Sequence, residues 1–330
     1  MRWITAAIVL VLSAAASAQE RPDPNAPPPD GPWNHRLHFA TSADGLSFQE
    51  SPTPILAGAG QGDVLELVRD LPEKGEGAAA GTLVVYAVDA RNAKGPGSEK
   101  LDRFVSTDGG KTWGLPSRVT IHWAKKPTGV EVELSVVQKP DGSLRMYFIH
   151  RAEGAKPAPR GPRARPLPRT NLPISRPRVE RPAEGNPKAT KVYSAVSEDG
   201  LSFTVEDSYR FEEEGISDPE VLWVGEEWLM FLSSGDEVRL ATSSDGLRFE
   251  ASERFQLTRG GVPGAALLAD GRVRIYQSVP SGVNSVVYDP ASGRVEAEEG
   301  SRFAGPCMDP AVWMRREGGF VAVISRPLKP

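Results

Sequence analysis

The chain has 330 residues, with 39 Lys and Arg against 43 Asp and Glu and a formal net charge of −4 at pH 7. Cys307 is its only cysteine, which excludes an intrachain disulfide framework and leaves stability to a hydrophobic core that a chain of this length can build. The mildly acidic whole does not carry the broad basic footprint of a nucleic-acid binder, and beyond the N-terminus no apolar run is long enough to span a bilayer.

At the start, Arg2, an apolar run over residues 4–12 and Ala16-Ser17-Ala18 make the pattern of a cleavable secretory signal peptide, residues 1–18. The mature protein is therefore expected in the periplasm or outside the cell, not spanning a membrane. Residues 19–33 are Pro-rich and read as a stiff linker. The remainder, residues 34–330, is read as one domain.

That domain repeats itself. Ser42-Ala-Asp44-Gly45-Leu46-Ser47-Phe48 shares an S-x-D-G-L-x-F pattern with the segments opening at Ser197 and Ser243. Ser106-Thr-Asp108-Gly109-Gly110-Lys111-Thr112-Trp113 is a version one residue longer. Before each box stand short alternating runs separated by turns, such as Asp218-Pro-Glu-Val-Leu-Trp-Val, Trp228-Leu-Met-Phe-Leu and Val238-Arg-Leu-Ala-Thr. Asp-Gly turns between alternating runs are hairpin signals, no helical period competes, and a fixed-order repeat means stacked modules. Units open near Asp63, Glu133, Asp218 and Pro263. The last unit, from Asp309, supplies two strands, and the first supplies a third strand, a turn and the start of a fourth. Joined, they complete one module, which predicts an all-β, single five-bladed β-propeller closed by N- and C-terminal strands in one blade.

The Ser106 segment resembles the Asp box (BNR repeat) of the sialidase superfamily. The D-P starts at Asp218 and Asp309 are similar to blade starts in five-bladed arabinanase, xylosidase and fructosidase propellers. The box itself reads as structural. Asp44, Asp108, Asp199 and Asp245 would accept backbone N–H groups inside their own turns, with glycine at positive φ and the closing aromatic packed between blades. The resemblance places such boxes on the face away from an active site, so chemistry is sought at the opposite ends of the strands.

There the first-strand starts read Asp63, Glu133, Asp218, Pro263 and Asp309, four acids aimed at one mouth. Glycoside hydrolysis needs one protonated and one ionised carboxyl group across the scissile bond. Carried over from the resemblance, Asp309 or Asp63 is the base, Asp218 the pKa-tuning partner and Glu133 the acid, with Glu131 a competitor two residues away. The competing reading is that D-P is simply a good turn. Arg91, Arg151 and Arg326, at the second-strand ends, are candidate binders of a substrate carboxylate in the manner of sialidases. In the competing reading they neutralise the ring acids. No F/Y-R-I-P segment precedes the first box and no Tyr-Glu nucleophile pair is evident, which argues against true sialidase activity.

Residues 152–190 form an insertion with nine prolines between residues 152 and 187, expected to be disordered. Ten basic and two acidic residues lie between Ala155 and Lys191. It reads either as a basic lid for an anionic polymer or as a solvated insertion, and it lacks the aromatic residues that stack bases. His35, His38, His122 and His150 share no metal-ligand spacing, so no metal site or cofactor is predicted. The resemblance to five-bladed glycosidases, some of which hold a central cation, would allow Ca²⁺ or another cation among the ring acids. Cys307 reads as a small buried apolar group. The functional expectation is a glycoside hydrolase-like propeller acting on or binding a glycan or another anionic small molecule or polymer, without nucleic acid. The alternative is a non-catalytic binding or scaffold module of the cell envelope.

Overall fold

The structure, a computed structural model, describes residues 31–72, 78–94, 98–125, 127–152 and 189–328, with the backbone alone at Arg151 and Ala152. The signal peptide, nearly all of the linker and nearly all of the basic insertion lie outside the described residues.

The described residues are all β apart from one 3-10 turn, Pro32–Asn34. The strands are β1 (His35–Ser42), β2 (Gln49–Glu50), β3 (Leu56–Ala57), β4 (Ala59–Glu66), β5 (Leu83–Asp89), β6 (Lys100–Ser106), β7 (Ser117–His122) and β8 (Gly129–Gln138). There follow β9 (Leu144–Ala152), β10 (Ala189–Ser197), β11 (Ser202–Val205), β12 (Phe211–Glu214), β13 (Ile216–Val224), β14 (Glu227–Ser234), β15 (Glu237–Ser243) and β16 (Glu250–Thr258). The rest are β17 (Gly261–Leu267), β18 (Val273–Val279), β19 (Gly282–Asp289), β20 (Arg294–Ala297), β21 (Phe303–Ala304), β22 (Met308–Met314) and β23 (Phe320–Pro327).

Antiparallel pairing orders them β4-β5-β6-β7, β8-β9-β10-β11, β13-β14-β15-β16 and β17-β18-β19-β20. The remaining sheet is β22-β23-β1-β2, in which the first strand pairs with the last from His35↔Pro327 to Ser42↔Phe320. The outermost strands β7 and β11 add a parallel pairing that joins two sheets edge to edge. The innermost strands touch in the order β4, β8, β13, β17, β22 and back to β4.

The S-x-D-G segments are the turns between third and fourth strands, and their bonding is local. Ser243 Oγ donates to Asp245 Oδ1 at 2.9 Å and accepts the Gly246 N–H at 3.0 Å, while Asp245 Oδ1 accepts the N–H groups of Leu247 and Arg248. Asp44 and Asp199 repeat that pattern. In the longer loop Ser106 Oγ donates to Asp108 and accepts the Gly110 N–H, while Asp108 accepts the N–H and hydroxyl of Thr112. The Leu46 and Ser47 amides hold the Asp44 carboxyl down to about 2.

Each turn is gripped by the preceding sheet. Tyr86, Tyr147 and Tyr276 occupy one register position on the second strands β5, β9 and β18, opposite Asp63, Ser135 and Gly264. Their hydroxyls donate to the carbonyls of Gly200, Gly246 and Gly45, at 2.8, 2.9 and 2.9 Å. Arg103 and Arg274 bond the adjoining Asp199 and Asp44 carbonyls. The aromatic residue closing each turn then packs edge-on against that same tyrosine: Phe203 on Tyr86, Phe249 on Tyr147 and Phe48 on Tyr276. Between β1 and the Asp108 turn the grip is apolar, Phe39 against Trp113 at 5.3 Å. A side chain at Gly45 or Gly246 would meet the gripping Tyr and Arg within 3 Å, which is why glycine stands there. Where β14 carries Phe231 at the tyrosine position, the following turn has decayed to Asp289-Pro-Ala-Ser-Gly293. That junction is held by Phe231, Phe255 and Tyr288 packed on one another.

Candidate functional site: a carboxylate-lined mouth

Five residues that are not glycine share one backbone state at the starts of the innermost strands: Gln61 (φ 51°), Glu133 (57°), Asp218 (49°), Val262 (48°) and Asp309 (54°). Each sits in a bulge, where the pairing skips between Gly60 and Asp63, Val132 and Ser135, Ser217 and Glu220, Gly261 and Pro263, and Met308 and Ala311. A left-handed non-glycine residue costs on the order of 1–3 kcal/mol, and a β-branched one such as Val262 is a clear outlier. Because all five sheets do it, whatever the side chain, the bulge belongs to the fold. The side chains placed on it are the variable part.

The five residues line one cavity. The acids among them are Glu133, Asp218 and Asp309. Glu133 is buried and Asp218 and Asp309 are half-buried. Glu133 and Asp218 stand on neighbouring strands, and the Asp218 N–H donates to Glu133 Oε2 at 3.1 Å. Ser217 Oγ donates to Asp218 Oδ2 at 2.7 Å. Asp309 comes from β22, which packs on β17 and β4, and it lines the same cavity as the Glu133–Asp218 pair. Its carboxylate accepts no hydrogen bond among the described residues, which leaves it open for a ligand. The cavity proper is about 30 Å³, room for one water or two, within an empty volume of about 340 Å³ that includes the opening to solvent. A sugar ring would sit on this mouth and not inside it.

Asp63 does not share that place. Its equivalents are Ser135, Glu220, Gly264 and Ala311, two residues further along each strand, and Gln61 takes the mouth position on β4. Pro263 is likewise not the counterpart of the acids. It matches Pro219 and Pro310, and Val262 is the mouth residue. The X-Pro dipeptides at 218, 262 and 309 carried this register in the sequence, and aligning the prolines recovers it.

The second row forms a belt under the mouth. Asp63 Oδ2 accepts the N–H of Val136 on β8, Ser135 Oγ accepts that of Val221 on β13 at 2.9 Å, and Glu220 Oε1 accepts that of Ala265 on β17 at 3.1 Å. At Gly264 the Pro310 carbonyl approaches so closely that a Cβ would stand 1.7 Å from it. Asp63 and Glu220 are buried without an ion pair among the described residues. Burial pushes Asp63 up to about 7, and burial together with the charge of Asp63 raises Glu220 well above the usual carboxylate range. Sequence reasoning missed Glu220 because it is read as the residue after a D-P turn.

The arginines do not form a matched set. Counted from the tyrosine register position, Arg91, Arg151 and Arg326 fall at three different offsets. Arg91 is bonded to Asp89 and lies 3.7 Å from Asp102, a buried acid pair also approached by Arg118. Burial and a hydrogen bond with Asp89 push Asp102 up to about 6. Arg326 is bonded to both oxygens of Glu50. The side chain of Arg151 lies outside what is described. Glu131, two residues before Glu133, accepts a hydrogen bond from Trp123 Nε1 at 2.7 Å, with His150 Nδ1 3.8 Å from the same carboxylate. Cys307 is buried. Among the described residues no group of three His, Cys, Asp or Glu is placed to hold a metal ion, and no helix is long and apolar enough to cross a membrane.

No protein family matches the chain, and no curated protein does. Solved structures do. A protein of unknown function from Dyadobacter fermentans is 15% identical with a TM-score of 0.50, over 88% of this chain and 84% of that one. A Hadza microbial sialidase is 12% identical with a TM-score of 0.49, over 90% of this chain and 66% of that one. A family 117 glycoside hydrolase from Zobellia galactanivorans is 13% identical with a TM-score of 0.46, over 91% and 92%. At these identities the likeness is one of fold.

Proposed function

We propose that the chain is an exported five-bladed β-propeller of the glycoside hydrolase-like kind, closed by the β1–β23 pairing, whose mouth binds a glycan and hydrolyses it. Support for the ring comes from the cyclic contacts of the five innermost strands and from five equivalent bulges facing one cavity. The observation that carries the chemistry is the placement of three carboxyl groups on those bulges, Glu133 and Asp218 adjacent and, in the proposed ring, Asp309 opposite. Hydrolysis of a glycosidic bond needs an acid and a base on opposite sides of it. In this reading Asp309, open to a ligand, is the base. Glu133, the most buried of the three, is the acid, and Asp218 tunes it from alongside. With Arg91 and Arg326 tied to acids of the fold, a neutral sugar suits the mouth better than an anionic one.

Turnover of a panel of aryl-glycosides and polysaccharides tests the proposal. Activity on at least one, abolished in Asp309→Asn and Glu133→Gln while both variants keep the wild-type melting curve, is the expected result. No turnover by the wild type, or turnover indifferent to both substitutions, overturns it. The small cavity favours a second reading, a propeller that holds glycans without cleaving them. It requires glycan binding by the wild type that survives in Asp309→Asn without any product.

A further inference from the structure

We propose that Asp63 and Glu220, two buried carboxyl groups on one belt of the inner strands, act together as a pH-sensitive lock on those strands. The argument is geometric. Both carboxyl groups are buried, at 5% and 7% residue exposure, and neither meets a lysine, arginine or histidine among the described residues. Each instead accepts a backbone N–H of the next sheet, from Val136 and Ala265, three residues beyond the mouth positions Glu133 and Val262. The Ser135 hydroxyl hydrogen-bonds Glu220 and accepts the Val221 N–H, so the pair and the serine stitch β4, β8, β13 and β17 together. Two buried carboxylates that sense each other, with no cation beside them, cannot both be ionised at low cost.

The surrounding groups do not relieve this. Opposite Asp63 on β5 stands Tyr86, whose phenol is itself raised by burial and by the charge of Asp63. Arg103 on β6 acts on that tyrosine and is bonded to the Asp199 carbonyl. Opposite Glu220 on β14 stands Phe231, and β17 offers only backbone. Glu220 also lines the mouth cavity, where the other charged side chains are Glu133, Asp218 and Asp309, all acids. The pair therefore keeps at least one proton at neutral pH.

The sign follows. An acid whose folded-state value is raised stabilises the fold most below its unfolded value near 4, and that stability is lost as pH rises toward and through the folded value. Ionising the second group would then bury two like charges with no cation beside them among the strands that carry Glu133 and flank Asp309, and that electrostatic cost loosens the inner strands. The lock stands whether or not the mouth turns over a substrate, and its test does not use activity. In the purified chain, the melting temperature is measured from about pH 5 to about pH 8 for the wild type, Asp63→Asn and Glu220→Gln. Glu220→Gln keeps the oxygen that accepts the Ala265 N–H and removes the titration, while Asp63→Asn removes the titration and keeps one of the two oxygens that accept the Val64 and Val136 N–H groups. A wild-type melting temperature that falls across this window, with a flatter profile in the variants, is expected. The infrared band of a protonated carboxyl group should persist in the wild type at neutral pH and weaken in Glu220→Gln. Where the variants fail to fold, the wild-type band decides. Its absence, or a melting profile equally steep in wild type and variants, overturns the proposal.

Discussion

The mouth side and the turn side of the sheets repeat themselves in opposite ways. On the mouth face the backbone is constant and the side chain varies: five left-handed bulges carry Gln, Glu, Asp, Val and Asp. On the fastener face the side chains recur, Ser, Asp and Gly in the turn with Tyr and Arg reaching in from the sheet before. A fastener works by a fixed set of hydrogen bonds, so its residues are constrained together. A mouth position only needs to aim a side chain at the axis, so its identity is free for chemistry. The contrast separates sites that substitution should unfold from sites that substitution should silence.

The largest expected effect lies at the mouth and leaves the fold alone. Removing the proposed general acid or base in Glu133→Gln or Asp309→Asn should cost on the order of 10²–10⁴ in turnover, read by steady-state kinetics on the best aryl-glycoside. The melting temperature should hardly move, since the Asp309 carboxylate accepts no hydrogen bond among the described residues and Glu133→Gln keeps an oxygen for the Asp218 N–H. If either substitution melts the protein with activity per folded molecule unchanged, the mouth is structural and the contrast fails.

Next in size are the glycines of the fasteners. Gly45→Ala puts a Cβ 2.4 Å from Arg274 Nη1 and 2.8 Å from the Tyr276 hydroxyl, at a φ of 72°. Left-handed strain and two displaced buried bonds together should cost about 2–4 kcal/mol in denaturant unfolding. Gly81→Ala has a similar φ of 85° but nothing within 4 Å, and isolates the backbone part at about 1 kcal/mol. Equal losses in the two variants would mean the fastener contributes nothing beyond its turn. Smaller again is Tyr147→Phe, which keeps the ring packed on Phe249 and strands the Gly246 carbonyl, for about 1–2 kcal/mol by the same measurement.

What could be read in the sequence followed the range of the bonds. The turn residues bond within four positions of themselves, so Asp44, Asp108, Asp199 and Asp245 were legible one segment at a time. Their grips were not, because Tyr86, Tyr147 and Tyr276 lie 114, 99 and 231 residues from the carbonyls they bond. The mouth was half legible. Glu133, Asp218 and Asp309 stand out as acids at strand starts, but which residue of each start faces the axis is decided by a cross-strand bulge. A shift of two residues exchanged Asp63 for Gln61, and a shift of one exchanged Pro263 for Val262. Arg91 and Arg326 were legible as strand-end cations, and Asp89, two residues from Arg91, is a local partner, while Glu50 lies 276 residues from Arg326 and carries no local signature.

The smallest effect has the opposite sign and tests the contrast most directly. Val262 holds a β-branched side chain at φ 48°, half-exposed, in a bulge that the other four sheets also make. Nothing in a shared bulge requires valine, and glycine adopts this φ without strain. Val262→Gly should therefore raise stability. Relief of left-handed strain outweighs the extra freedom of the unfolded chain by about 0.5–1 kcal/mol, read as an upward shift of the denaturation midpoint at unchanged slope. At Gly45 the same exchange run backwards lowers stability. If Val262→Gly instead destabilises, the side chain is holding the mouth together, and the backbone cannot be the constant element on that face.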